Sequence, residues 1–220
     1  MASIPLPNGA QVALATTYGS AKPVSDISNA NPGVFTAEGH GLSNGALVLA
    51  GIEGWTKVDN TVLRIADSDT DTFTVPGLNT SNTGRFPAGS GKGSVKPITA
   101  WTQLPKIPTF ELTGGDAKTQ TTSYLDYEKD YEIFTGTNPE RLNFTISYNP
   151  DGEAYASLQE AHESGELQVV RLVLKDGSAL YYVGQVFFNK VPVTTKDQEM
   201  VNNVSIALQG EITRYAKLSS

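Results

Sequence analysis

The sequence predicts a mainly β protein: a sheet system with one amphipathic helix laid against it, and a small β meander or barrel inserted near its start. Three observations carry this. Short apolar runs bounded by turn formers recur between residues 25 and 98. From residue 99 onward the segments lengthen and alternate apolar with polar side chains. One stretch alone, "NPDGEAYASLQEAHESG", combines helical spacing with helix-end residues.

The early runs are "VFTAEGHGL", "ALVLAGI", "TVLRIAD" and "TFTVPGL", set among Gly, Asn, Ser, Thr and Asp. In "RLNFTISY", Leu142, Phe144, Ile146 and Tyr148 face one way, and Arg141, Asn143, Thr145 and Ser147 the other. In "VSIALQGEITR", Val204, Ile206, Leu208 and Ile212 oppose Ser205, Ala207, Gln209, Glu211 and Thr213. Both read as half-buried antiparallel strands with one wet face. The helix has Asn149 as a candidate cap, Pro150 in the first turn, and Asp151 and Glu153 at the positive end of its dipole. Ala154, Tyr155, Leu158 and Ala161 form its apolar stripe, and Gly165 can end it.

Between helix and last strand lies "LQVVRLVLKDGSALYYVGQVFF", with Asp176-Gly177 suited to the two-residue type I′ turn of a hairpin. The return strand carries Tyr181, Val183 and Phe187 on one side, and Leu180, Tyr182, Val186 and Phe188 on the other. Large apolar groups on both sides predict burial on both, inside the fold or against a neighbouring subunit.

The chain of 220 residues is long enough for one large or two small domains with a hydrophobic core. It has no cysteine, which excludes disulfide staples and thiolate metal sites. The opening "MASIPLPNGAQVALATTYGS" lacks a basic segment and a continuous apolar run, so it does not read as a signal peptide. A soluble product of the cytoplasm is expected. The net charge of −7 argues against a DNA binder, because phosphate contacts need Lys and Arg.

Motifs that can carry chemistry are incomplete. Asp67, Asp69 and Asp71 occupy the first ligand positions of a calcium loop, but Thr72 and Leu78 stand where glycine and a bidentate glutamate are needed. "GSGKGS" lacks the spacing and following helix of a phosphate loop. A Ser–His–acid set needs a histidine base. His40, in the glycine-flanked turn "EGHGL", reads as a ring that orders its loop, and His162, near the helix end, as a solvated residue at the C-terminal dipole. The carboxylates Asp126, Glu128 and Asp130 lie on a polar segment with no pocket to raise a pKa. No catalytic residue, metal ligand or cofactor is assigned, and no enzyme activity is expected.

One segment resists assignment to the core. "TQTTSYLDYEKDYEIFTG", Thr119 to Gly136, holds three tyrosines and four acidic residues among few aliphatics. Tyr124, Leu125, Asp126, Tyr127, Glu128, Asp130 and Tyr131 read as a polar, aromatic arm that packs on another copy of the chain. Tyrosine supplies broad contact area with a polar tip. An ordinary surface loop is the alternative.

The order of elements after residue 99 resembles the major tail tube proteins of long-tailed, non-contractile bacteriophages. The residues that carry this are "SYLDYEKDYE", "RLNFTISYNPD", the helix, the hairpin through Asp176-Gly177 and Tyr181 to Phe188, Thr195-Lys196-Asp197, and Val204 to Ile212. The likeness covers 1–24 and 99–220, which would form a discontinuous tube domain. Residues 25–98 are similar to a small β module of phage structural proteins, through His40-Gly41-Leu42 and Asp71-Thr72-Phe73.

The resemblance implies a β-sandwich or barrel with a flanking helix, shared with tube proteins of type VI secretion systems. It implies a virion protein whose hexameric rings stack into the tail tube, the conduit for DNA. Tyr181, Val183 and Phe187 would then extend a neighbour's sheet within the ring, and the arm would join rings. Asn143, Thr145, Ser205, Gln209 and Glu211 would line the bore, and the module would decorate the exterior. Tape measure, tail terminator and tail tip proteins are implied partners, with genomic DNA passing unbound and no membrane involved. The alternatives are a capsid decoration or head–tail connector protein, or a carbohydrate-binding module with Trp55 and Trp101 as exposed platforms.

Overall fold

The structure, a computed structural model, describes residues 9–217, so the first residues of the opening stretch lie outside it. It is 44% strand and 6% helix, with one helix among the described residues. In chain order the elements are β1 (Gln11–Tyr18), β2 (Lys22–Val24), β3 (Asp26–Ile27), β4 (Val34–Thr36), β5 (Leu47–Gly51), β6 (Val62–Arg64) and β7 (Thr72–Thr74). They continue with β8 (Gly93–Leu104), β9 (Phe110–Thr113), β10 (Ala117–Thr122), β11 (Tyr131–Thr137), β12 (Arg141–Ser147) and α1 (Glu153–Ser164). Last come β13 (Leu167–Val173), β14 (Ala179–Phe188), β15 (Val201–Leu208) and β16 (Thr213–Tyr215).

The main sheet runs β6-β5-β8-β1-β13-β14-β15-β12-β9, with β2 on β8 and β16 on β14. β3, β4 and β7 form a separate three-stranded sheet, and β10 and β11 a ribbon of their own. β8 is the seam. Its first half pairs with β2 and β5 (Lys22↔Val95, Val48↔Pro97), its second with β1 (Val12↔Leu104).

Three buried clusters follow from this topology. The first lies within residues 24–95 and centres on Trp55 and the stacked rings of Phe35 and Phe73, 4.9 Å apart. The second packs Leu158 and Ala161 of α1 on Leu142, Phe144, Ile146, Tyr182, Val186 and Ile206 of the sheet. The third joins Val62 of β6 to Ala15, Val169, Tyr181 and Val183. The predicted strand alternation holds in β12, where Leu142, Phe144 and Ile146 are buried and Asn143 and Thr145 are not.

The helix ends at Gly165, whose φ of 64° lets the chain leave in the left-handed conformation. Its start is later than the sequence suggests. Gly152, in extended conformation, precedes Glu153, and the Gly152 N–H donates to the Asn149 carbonyl at 3.1 Å. Asn149 closes a turn there instead of capping the helix.

The hairpin turn also differs. The Leu174 N–H donates to the Ser178 carbonyl at 2.8 Å and the Gly177 N–H to that of Leu174 at 2.9 Å. Only Gly177 has positive φ, 82°, so the loop is three residues ending on a left-handed glycine, not a type I′ pair. The last predicted strand is broken as well. β15 stops at Leu208, and at Gly210 the chain passes so close to Asn60 that an added Cβ would lie 1.8 Å from its carbonyl oxygen. β16 then pairs with Ala179–Tyr181 of β14.

Tyr18 bridges β1 and β13: its hydroxyl accepts from the Val169 N–H at 3.1 Å and reaches Gln168 Oε1 at 3.4 Å. Burial pushes its pKa up to about 12 from an ordinary 10. A pKa raised by folding contributes stability below about pH 10 that is lost as pH climbs toward 12. The loss is about 2–3 kcal/mol for two pH units. Melting followed from pH 9 to 12 should fall more steeply in the native chain than in Tyr18→Phe, and equal slopes would remove Tyr18 as the cause.

Candidate assembly surfaces

The arm is a β-ribbon. β10 and β11 pair from Ala117↔Thr137 to Thr122↔Tyr131, with a bulge after Lys118. The sequence hides this because β10, "AKTQTT", has no apolar alternation. Gly114 and Gly115, both with positive φ, bend the chain out of β9 where a Cβ on Gly114 would meet the Pro139 carbonyl. At the tip Tyr127 lies 6.0 Å from Tyr124 and 5.6 Å from Tyr131, ring centre to ring centre, and Ser123 bonds to Asp130.

The ribbon exposes apolar side chains on both faces. Directly paired residues share a face, so Tyr131 and Ile133 (opposite Thr122 and Gln120) lie on one, and Phe134 (opposite Thr119) on the other. Ile133 and Phe134 are more than half exposed, and Leu125 at the tip is fully so. Sequence reading placed the tyrosines and acids here and missed Ile133 and Phe134. Their signal was present, since two adjacent large apolar residues in a strand must point to opposite faces.

The wet face of β12, β15 and β14 gathers part of the predicted bore set. Asn143, Ser205 and Phe187 form one row. Ser205 Oγ donates to Asn143 Oδ1 at 2.8 Å, Asn143 Nδ2 donates to Thr113 Oγ1 at 2.9 Å, and the Thr109 and Thr145 hydroxyls are 3.0 Å apart. Asn143, Thr145, Ser205 and Phe187, with Thr109, Glu111 and Asn203, line an open trough of about 650 Å³. The Arg141 guanidinium sits 5.8 Å from the Phe187 ring centre. Gln209 and Glu211 are elsewhere. The Gln209 N–H donates to Val183, and Glu211 pairs with Lys57, because the strand that would have carried them has ended.

The expected role of Tyr181, Val183 and Phe187 in a neighbour's sheet needs correction. A strand joins another sheet only through a free edge. β13 is flanked by β1 and β14, and β14 by β13, β15 and β16. Tyr181 and Val183 are buried in the chain's own third cluster, while Phe187 is 44% exposed and lies on the trough face. The free edge nearby is β9, last in the sheet order, with Leu112 exposed.

The two ends of these strands differ. The arm leaves where β9 ends and β12 begins, at Thr113↔Arg141. At the other end, beyond Phe188 and before Val201, the segment 189–200 presents Val191, Val193 and Met200 to solvent. It is held by the Val193↔Val201 bridge and by the Tyr148 N–H donating to the Met200 carbonyl at 2.8 Å.

The remaining candidates are occupied by structure. His40 is buried: Nδ1 accepts from the Leu42 N–H at 2.9 Å, which leaves Nε2 to donate to the Thr72 carbonyl at 3.3 Å. Its ring meets Phe73 edge-on at 5.2 Å. Asp71 accepts from the Gly39 N–H, Asp67 from Thr74 and Asp69 from the Thr70 N–H. Asp126, Glu128 and Asp130 are exposed on the arm tip. His162 Nδ1 lies 3.3 Å from the Val186 carbonyl. Trp55 is fully buried and donates to Pro87, and Trp101 lies under the Arg171 guanidinium at 4.3 Å, so neither is an open sugar platform.

The exposed features of this mainly β frame are an aromatic ribbon and a polar sheet face. The chain belongs to the phage tail tube protein (TTP) family, whose profile matches residues 53–217. It is thus a structural component of the virion tail. Two solved structures are similar in part. One is the tail of an empty gene transfer agent (GTA) particle computed with helical refinement and C6 symmetry: 10% identity, TM-score 0.42, 54% of this chain and 88% of that chain. The other is the virion of a native gene transfer agent particle: 10% identity, TM-score 0.40, 53% of this chain and 89% of that chain. No curated relative matches. Among the described residues no helix is long and apolar enough to cross a membrane.

Proposed function

We propose that six copies of this chain close a ring and that rings stack head to tail into the tail tube through which DNA is delivered. The observation that carries the reading is the arm, a ribbon with exposed apolar groups on both faces. A lone two-stranded hairpin is marginal in water, and this one gains cover by inserting between surfaces of other copies. Tyr124, Leu125, Asp126, Tyr127, Glu128, Asp130 and Tyr131 form its contact tip. The apolar end at Val191, Val193 and Met200, opposite the arm on the same strands, supports a head-to-tail contact, which repeats into a filament rather than closing as a dimer. The free β9 edge supports sheet extension between ring neighbours.

Asn143, Thr145 and Ser205 face the bore in this reading, joined by Phe187 and Arg141. A six-membered ring carries about −42, six times the chain charge of −7, which lets DNA slide without adhering. Residues 25–98 stand outside the bore. No catalysis and no cofactor are required. The tape measure, tail terminator and tail tip proteins are further partners that the family resemblance implies. Immunogold labelling of particles tests the placement: label at regular intervals along tails is expected. Label confined to heads or to the head–tail junction would instead make the chain a decoration or connector protein.

A further inference from the structure

We propose that the C-terminal segment 210–216 is a strap that closes the sheet between β6 and β14 into a barrel and so locks residues 25–98 rigidly to the tube frame, with the Tyr215 hydroxyl standing in for a missing strand. Residue by residue, the contacts run between the strap and one side of the inserted region. The Tyr215 hydroxyl accepts from the Arg64 N–H at 3.1 Å and donates to the Val62 carbonyl at 3.0 Å. Those two main-chain groups are the outward edge of β6, the terminal strand of the sheet. A buried donor or acceptor left unpaired there costs stability, and the hydroxyl satisfies both.

Arg64 completes the clasp. Its guanidinium lies 4.6 Å from the Tyr215 ring centre, and its Nη1 donates to the Ala216 carbonyl at 3.0 Å. Gly210 runs against the Asn60 carbonyl, where only a residue without Cβ fits. The exposed Lys57–Glu211 pair adds little by itself. The other side of the strap is fixed by β16, which pairs with Ala179–Tyr181 of β14. The sheet β6-β5-β8-β1-β13-β14 therefore returns on itself, and the third cluster is the barrel interior: Val62, Leu47 and Leu49 from one side meet Val169, Tyr181 and Val183 from the other. The Tyr215 hydroxyl is protonated at neutral pH and so can donate, and burial raises its pKa further.

The inserted region is in this view a fixed spoke of the subunit, not a bead on a tether. The test is amide hydrogen exchange on the full chain as a free subunit, native against Tyr215→Phe, which keeps the ring beneath Arg64 and removes only the hydroxyl. The Arg64 amide should exchange about tenfold faster. The Ala50 amide, bonded to Thr61 on the inner side of the same region at 2.9 Å, should not change. Gly210→Ala, which pushes the strap off Asn60, should reproduce the pattern. Unchanged protection at Arg64 overturns the proposal. Equal acceleration at Arg64 and Ala50 overturns it too, because that reports a general loss of stability rather than release of one edge.

Discussion

Deleting Thr121 to Tyr131 is expected to leave a folded subunit that no longer polymerises. The ribbon forms a sheet of its own, separate from the main sheet, and none of its large side chains belongs to the three buried clusters. Its removal costs the frame little, so melting should stay within a few degrees of the native chain. Assembly loses the three tyrosines, Leu125 and two of the six residue pairs of the ribbon, those next to the pairs that present Ile133 and Phe134. Exposed apolar and aromatic anchors dominate interface energy, so tube formation should fall below detection by electron microscopy. Normal tubes from the deletion would remove the arm from the account.

Trp55→Ala carries the largest expected loss of stability. The indole is fully buried, meets Phe86 edge-on at 5.0 Å and donates from Nε1 to the Pro87 carbonyl at 3.0 Å. Gly91 lies so close that an added Cβ would stand 3.0 Å from the ring. Truncation leaves a large cavity and an orphaned carbonyl, a cost of about 3–5 kcal/mol. For a domain of this size that lowers the melting temperature by about 10 °C. A loss under about 1 kcal/mol in denaturant unfolding would mean the first cluster is not close-packed around Trp55.

The parts legible in the sequence are those where one physical rule acts alone. Alternation in "RLNFTISY" gave β12, the apolar stripe gave α1, and a glycine able to take positive φ marked the helix end at Gly165. Where two rules compete, the local pattern points the wrong way. Asp176-Gly177 suits a type I′ turn, but the Asp176 carboxylate bonds to the Ser178 N–H and hydroxyl, and only the glycine takes positive φ. "VSIALQGEITR" keeps its alternation through Gly210, yet that glycine serves a close approach to Asn60 and ends the strand before Gln209 and Glu211.

Non-local pairing was the least visible. Nothing in "AKTQTT" announces a strand, because its pairing to β11 rests on main-chain bonds and on the partner's side chains. Tyr181 and Phe187 share a strand face, but the third cluster covers only the first, which no local pattern encodes. Tyr215 likewise reads as one aromatic near the chain end until the fold brings it to β6, about 150 residues earlier in the chain.

Electron microscopy of the purified chain across rising concentration tests self-association most directly. The account predicts six-fold annuli that stack into hollow tubes, with extra density for residues 25–98 radiating from the outside. A single compact particle at every concentration, together with absence of the chain from isolated tails, would contradict it.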